Sequence, residues 1–113
     1  MDTEYTSIQD LGAVLTPTQL VKFVQKAVPD LKLRKSSLEL ALEKQQWQVA
    51  AKQAHSFKSS ISLLSCDSLA ANLNLIEAGE LEAIKTAEFR ESVMIQCQQL
   101  IDDLEGYLSE NQP

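Results

Sequence analysis

Apolar residues recur three and four positions apart through most of the chain, and nothing alternates convincingly with a period of two. That spacing predicts helices and no sheet. Thr16 followed by Pro17 marks the first strong helix start: the threonine oxygen can accept an orphan backbone N–H, and proline is at ease in the first turn. Leu20, Phe23, Val24 and Ala27 then line one face, and Leu31, Leu38, Ala41 and Leu42 continue an apolar stripe to about Lys44. Pro29 leaves two readings open. Its ring clashes with the carbonyl of Gln25, which argues for a break with Asp30 capping a new helix, while a kinked continuous helix from Thr18 to Gln45 fits the spacing almost as well.

Trp47 to about Leu64 forms one uninterrupted helical pattern. Cys66-Asp67-Ser68 supplies the next cap, and Leu69, Leu73 and Ile76 form a stripe that stops near Gly79, a natural left-handed terminator. A short acidic connection leads to a final helix, roughly Thr86 to Ser109, with Phe89, Val93, Leu100 and Leu104 on one face and Cys97 and Leu108 at its margin. Met1 to Gly12 is polar and reads as a loose arm, with one turn of helix around Ile8 to Leu15. The prediction is an all-α protein: an arm over 1–15, then an antiparallel up-down four-helix bundle over 16–110.

The Trp47–Leu64 segment carries the candidate chemistry. At about 100 degrees per residue, Ala50, Ala54, Phe57, Ile61 and Leu64 fall in one arc that must face the core. The opposite arc holds Gln48, Ala51, Lys52, His55, Lys58, Ser59 and Ser62, so the sole histidine sits near the middle of the solvent face. Lys58 and Ser59 lie three and four residues on, where helical side chains are neighbours. An imidazole is mostly neutral near neutral pH and offers a nucleophilic nitrogen, and an adjacent ammonium offsets negative charge added to it. A lone surface histidine is more often an indifferent solvated residue; here the neighbours change the weighting.

Charge and cysteine content narrow the function classes. The 113-residue chain has 44% hydrophobic residues, the make-up of one compact domain. Its net charge of −6 lacks the footprint of a nucleic-acid binder. From Glu77 onward there are nine acids and two bases, whereas residues 1–76 are nearly neutral. Cys66 and Cys97 have no metal-ligand or dithiol spacing and read as core fillers in a reducing compartment. The acidic residues Glu77, Glu80, Glu82, Asp102, Asp103 and Glu105 have no histidine or cysteine pair to complete a metal site and read as solvated faces. With no leader and no apolar run long enough to span a bilayer, the expectation is a cytoplasmic protein with no membrane insertion.

His55-Ser56-Phe57-Lys58-Ser59-Ser60 resembles the H-x-[L/F]-K-G-S signature of histidine-containing phosphotransfer (HPt) domains. Leu69 and Glu77 stand at the leucine and glutamate positions of that family's next helix, and Ala54 with Trp47 to Ala51 resembles its approach to the histidine. The likeness spans roughly Leu20 to Leu104. Ser59 and Ser65 depart from it, standing where the family usually has glycine.

The resemblance implies a phosphocarrier, not an enzyme. His55 would accept a phosphoryl group from an aspartate of a response-regulator receiver domain and pass it to another. Lys58 would stabilise that group, and Gln48, Ala51, Lys52, Ser59 and Ser62 would dock the partner. The chain would be a monomer without a cofactor of its own, since magnesium belongs to the receiver, and its partners would be receiver domains or a hybrid sensor kinase. It also favours the continuous, kinked form of the helix containing Pro29. The runner-up is an HPt-like adaptor that binds receivers or kinases without carrying phosphate. A phosphoacceptor domain of a larger chemotaxis-type kinase is a third class, against which the initiating methionine and polar C-terminus read as natural ends.

Overall fold

The computed structural model describes residues 5–111, and it is all-α. A 3-10 turn at Thr6–Ile8 leads into α1 (Gln9–Gly12), followed by α2 (Pro17–Glu43), α3 (Trp47–Ser60), α4 (Asp67–Ala78), a one-turn α5 (Leu81–Ile84) and α6 (Ala87–Asn111). The four long helices pack in a closed ring, α2 on α3, α3 on α4, α4 on α6 and α6 back on α2. Each turns one stripe inward, and Val24, Leu38, Ala50, Ala54, Phe57, Leu73, Ile76, Val93, Cys97 and Leu104 are sealed between them. Fully burying a side chain of that size stabilises by about 1.5–3 kcal/mol, so the shared interior, not helix propensity, holds the ring together.

The helix ends follow local chemistry. Thr16 caps α2 through a reciprocal pair: its hydroxyl accepts from Gln19 N–H at 3.1 Å, and the Gln19 side chain accepts from Thr16 N–H at 2.9 Å. Thr86 caps α6 by accepting from Phe89 N–H at 3.1 Å. Gly79 ends α4 at a φ of 71°, with Glu80 N–H bonded back to Leu75 O, the Schellman arrangement. α2 ends the same way. Gln45 takes the left-handed position at a φ of 57°, Gln46 N–H donates to Ala41 O and Gln45 N–H to Leu42 O.

α2 runs unbroken through Pro29, which settles the two readings in favour of the continuous helix. Pro29 lies on the exposed side, and the buried Val28 and Leu31 beside it keep the chain on the core. Asp30 caps nothing; its carboxylate accepts from Arg34 Nε at 2.9 Å and from Ser60 Oγ at 3.1 Å. α3 is shorter than its apolar spacing suggested. The helix stops at Ser60, and a tighter turn carries Ile61 and Leu64 onward with both still buried.

The N-terminal segment is not loose over the described residues. Ile8 and Leu11 enter the core, Tyr5 meets Tyr107 edge to face and donates to Gly106 O, and Ser7 donates to the Asp103 carboxylate. Met1 to Glu4 fall outside the described residues. On α6 the buried face is wider than the predicted stripe, adding Met94, Ile101 and Tyr107, whereas Phe89 and Leu108 are only partly covered. Among the described residues no helix is long and apolar enough to cross a membrane.

Candidate functional site around His55

α3 has one face sealed against the core by Ala50, Ala54 and Phe57, and this fixes the direction of everything opposite. His55 follows Ala54 and points outward, with 67% of its side chain exposed. α4 packs beside α3 and turns in Leu69, Leu73 and Ile76; Glu77, next after Ile76, therefore emerges at the seam between the two helices. The Glu77 carboxylate spans that seam. Oε2 lies 2.7 Å from His55 Nδ1, and Oε1 accepts from Lys58 Nζ at 2.7 Å.

The bridge orients the imidazole. Two hydrogen bonds, from Lys58 first and His55 second, hold the Glu77 carboxyl below the usual carboxylate range, against the opposing effect of partial burial. Glu77 is thus ionised at neutral pH and only accepts, so Nδ1 is the nitrogen that carries the proton. Nε2, on the far side of the ring, makes no hydrogen bond among the described residues and belongs to a ring that is two-thirds exposed. In its neutral form an imidazole held this way offers the Nε2 lone pair as a nucleophile to an electrophilic centre brought to the surface.

The residues named from the sequence are brought together only in part. His55 and Lys58 meet on one carboxylate, with Lys58 and Glu77 both about one-third exposed. Gln48, Lys52, Ser59 and Ser62 are exposed and Ala51 is half-buried on the same outer side of α3. The serine hydroxyls turn back onto their own helix: Ser59 Oγ donates to His55 O at 3.4 Å and Ser62 Oγ to Ser59 O at 3.0 Å. Lys52 lies toward α2, where it borders an open groove of about 350 Å³ with Leu33, Arg34, Ser37, Gln53 and Ser56. Leu33 is 71% exposed there, so α2 contributes an apolar side to the surface flanking the histidine helix.

Glu77 reads from its own residue pattern as one of the solvated acids, although the resemblance put it at the glutamate position of the family's next helix. Its one local signal is position: it directly follows a core isoleucine, at the margin of the α4 stripe. Its pairing with His55 depends on the register of α4 against α3, which the turn after Ser60 sets and no periodicity encodes. The thiols stay out of the chemistry. Burial pushes Cys66 up to about 11 and Cys97 up to about 12, so both remain protonated at neutral pH. No group of three or more His, Cys, Asp or Glu side chains able to hold a metal occurs among the described residues. No family model, no curated protein and no solved structure matches the chain.

Proposed function

We propose that this protein is a histidine phosphocarrier of the HPt type, an up-and-down antiparallel four-helix bundle that relays a phosphoryl group between receiver-domain aspartates in the cytoplasm. The observation that carries the reading is the exposed His55 ring with Nδ1 occupied by Glu77 and Nε2 open. In the forward step the Nε2 lone pair attacks the phosphorus of the receiver's aspartyl phosphate. An N–P bond forms, the acyl P–O bond breaks, and the aspartate leaves as a carboxylate. Nδ1 keeps its proton throughout, so the phosphorylated ring carries positive charge, and the Glu77 carboxylate against Nδ1–H offsets it. The reverse step returns the phosphoryl group to a second aspartate; magnesium acts on the receiver side.

The outer face of α3 suits a docking partner. Gln48, Ala51, Lys52, Ser59 and Ser62 surround the ring, and the α2–α3 groove with Leu33 and Lys52 offers apolar area and positive charge beside it. Nothing in the sequence resembles a nucleotide-binding kinase module, so the chain is a carrier and not a source of phosphate. The test is transfer from a panel of phosphorylated receiver domains to the protein and to His55→Gln. Label on the first alone, labile to acid and stable to alkali, is the expected result.

One observation favours the adaptor reading instead. Ser59 places an exposed side chain one helical turn beyond the ring, on the path of an incoming partner. Measurable receiver binding with no label from any receiver, restored by Ser59→Gly, would select it.

A further inference from the structure

The outward face of α2 carries an apolar seam that the bundle itself does not use. Leu33 and Leu40 stand two turns apart on the side opposite the buried Leu31, Leu38 and Leu42, and they are 71% and 51% exposed. Between them lie Ser36 and Ser37, both exposed and small enough to let another helix come close. Leucines seven residues apart with small residues between them form a seam along which two helices can pack. It meets water over the middle of the longest helix in the described fold.

We infer that the occupant is a second copy of this chain, docked antiparallel along α2 about a two-fold axis between Ser36 and Ser37. That axis sets Leu33 of each copy against Leu40 of the other. In antiparallel packing like flanks meet, and each flank of this seam is complementary to itself. On the flank toward α3, Asp30 of one copy meets Lys44 of the other; both donors to Asp30 within the chain sit on Oδ2, which leaves Oδ1 for the ammonium. On the flank toward α6, Lys32 meets Glu43. Lys32 pairs with Glu105 of its own chain at 2.6 Å across a half-exposed contact, and Glu43 and Lys44 make no ion pair among the described residues. A parallel arrangement would stack the exposed Lys22 and Lys26 on their own copies, whereas the antiparallel axis carries them past the end of the other copy's α2.

The contact runs from Pro29 to Lys44, about 24 Å of helix, and a single helix pair of that length lies at the low end of specific interfaces. The dimer is therefore weak, with a Kd on the order of 100 μM. It covers Leu33, one wall of the groove that Lys52 also borders. Sedimentation equilibrium of the full chain from about 10 μM to about 1 mM should show the mass rise from monomer toward dimer. Leu33→Asp, at an exposed position that leaves the core intact, should weaken association by about tenfold or more. Lys32→Glu and Glu43→Lys should each weaken it roughly three- to tenfold, and the double variant should regain wild-type association, because the exchange restores the antiparallel pair. At concentrations above the Kd the thiol oxidant diamide should link Ser37→Cys to its own copy, leaving Lys22→Cys and the wild type, whose thiols are buried or partly buried, unlinked.

A monomer at every concentration, as the family resemblance implies, would overturn the proposal and leave the seam to a different protein. So would a dimer indifferent to Leu33→Asp, a double variant weaker than either single one, or linkage of Lys22→Cys in place of Ser37→Cys, which is the pattern of a parallel pair. None of these readouts involves His55, so the phosphocarrier reading stands or falls separately.

Discussion

Two carboxylates reach α3 from its two neighbours, Glu77 from α4 and Asp30 from α2. Each accepts from two donors near the end of the histidine helix. Asp30 takes Arg34 of its own helix and Ser60 of α3; Glu77 takes His55 and Lys58, both on α3. As ties between helices they are alike. The guanidinium and the serine hydroxyl held by Asp30 offer no good nucleophile at neutral pH, so that bridge can only hold the bundle together. The imidazole held by Glu77 has a second nitrogen, and occupying the first leaves the second open. One architectural device thus yields a structural clasp on one side of α3 and, on the other, an exposed imidazole bonded through one nitrogen only.

The sharpest way to break the pair is at Glu77. Glu77→Gln should cut phosphoryl transfer to His55 by roughly tenfold or more, because the amide can neither hold Nδ1–H as firmly nor offset the charge of the phosphorylated ring. Rapid-quench transfer kinetics measure it. Asp30→Asn should leave the same rate within about twofold. Its effect belongs to stability: losing both donors' preferred acceptor should cost about 1 kcal/mol, seen as a lower urea midpoint with an unchanged slope. Equal rate losses in the two variants would erase the distinction.

A smaller effect lies in pH. Glu77 is held below the usual carboxylate range, so its bridge contributes above that range and is lost as pH falls through the lowered value. A ¹³C titration of the Glu77 carboxyl should show a midpoint below that of an ordinary glutamate, and Lys58→Met should move it upward, since Lys58 is the largest cause of the shift. A midpoint that does not respond to Lys58 would mean that the two are not paired in solution.

What the sequence disclosed and what it withheld follow the same division. Periodicity on α3 was enough to bury Ala50, Ala54 and Phe57 and to expose His55, because both follow from one helix's own geometry. The Glu77 bridge was not legible in periodicity, since it depends on how two helices register; only the resemblance singled out Glu77, without its contacts. Pro29 was undecidable from local rules: its intrinsic cost in a helix interior is about 3 kcal/mol, yet the buried Val28 and Leu31 hold α2 together across it.

The two Schellman ends make the same contrast. Gly79 announced its left-handed turn by its residue type, whereas Gln45 adopts one with no such signal. Gln45→Gly should therefore stabilise the fold by roughly 1 kcal/mol and Gly79→Ala should destabilise it by a similar amount, although nothing within 4 Å obstructs a methyl group there. Thermal unfolding of the two variants should shift in opposite directions, and neither should alter transfer to His55.

The most direct measurement is the position of the phosphoryl group on the ring. His55 selectively labelled with ¹⁵N and phosphorylated by a cognate receiver should show its phosphorus coupling through Nε2, with Nδ1 still protonated and bonded to Glu77. Phosphorus on Nδ1, or a receiver that binds and leaves the ring unmodified, would contradict the account at its centre.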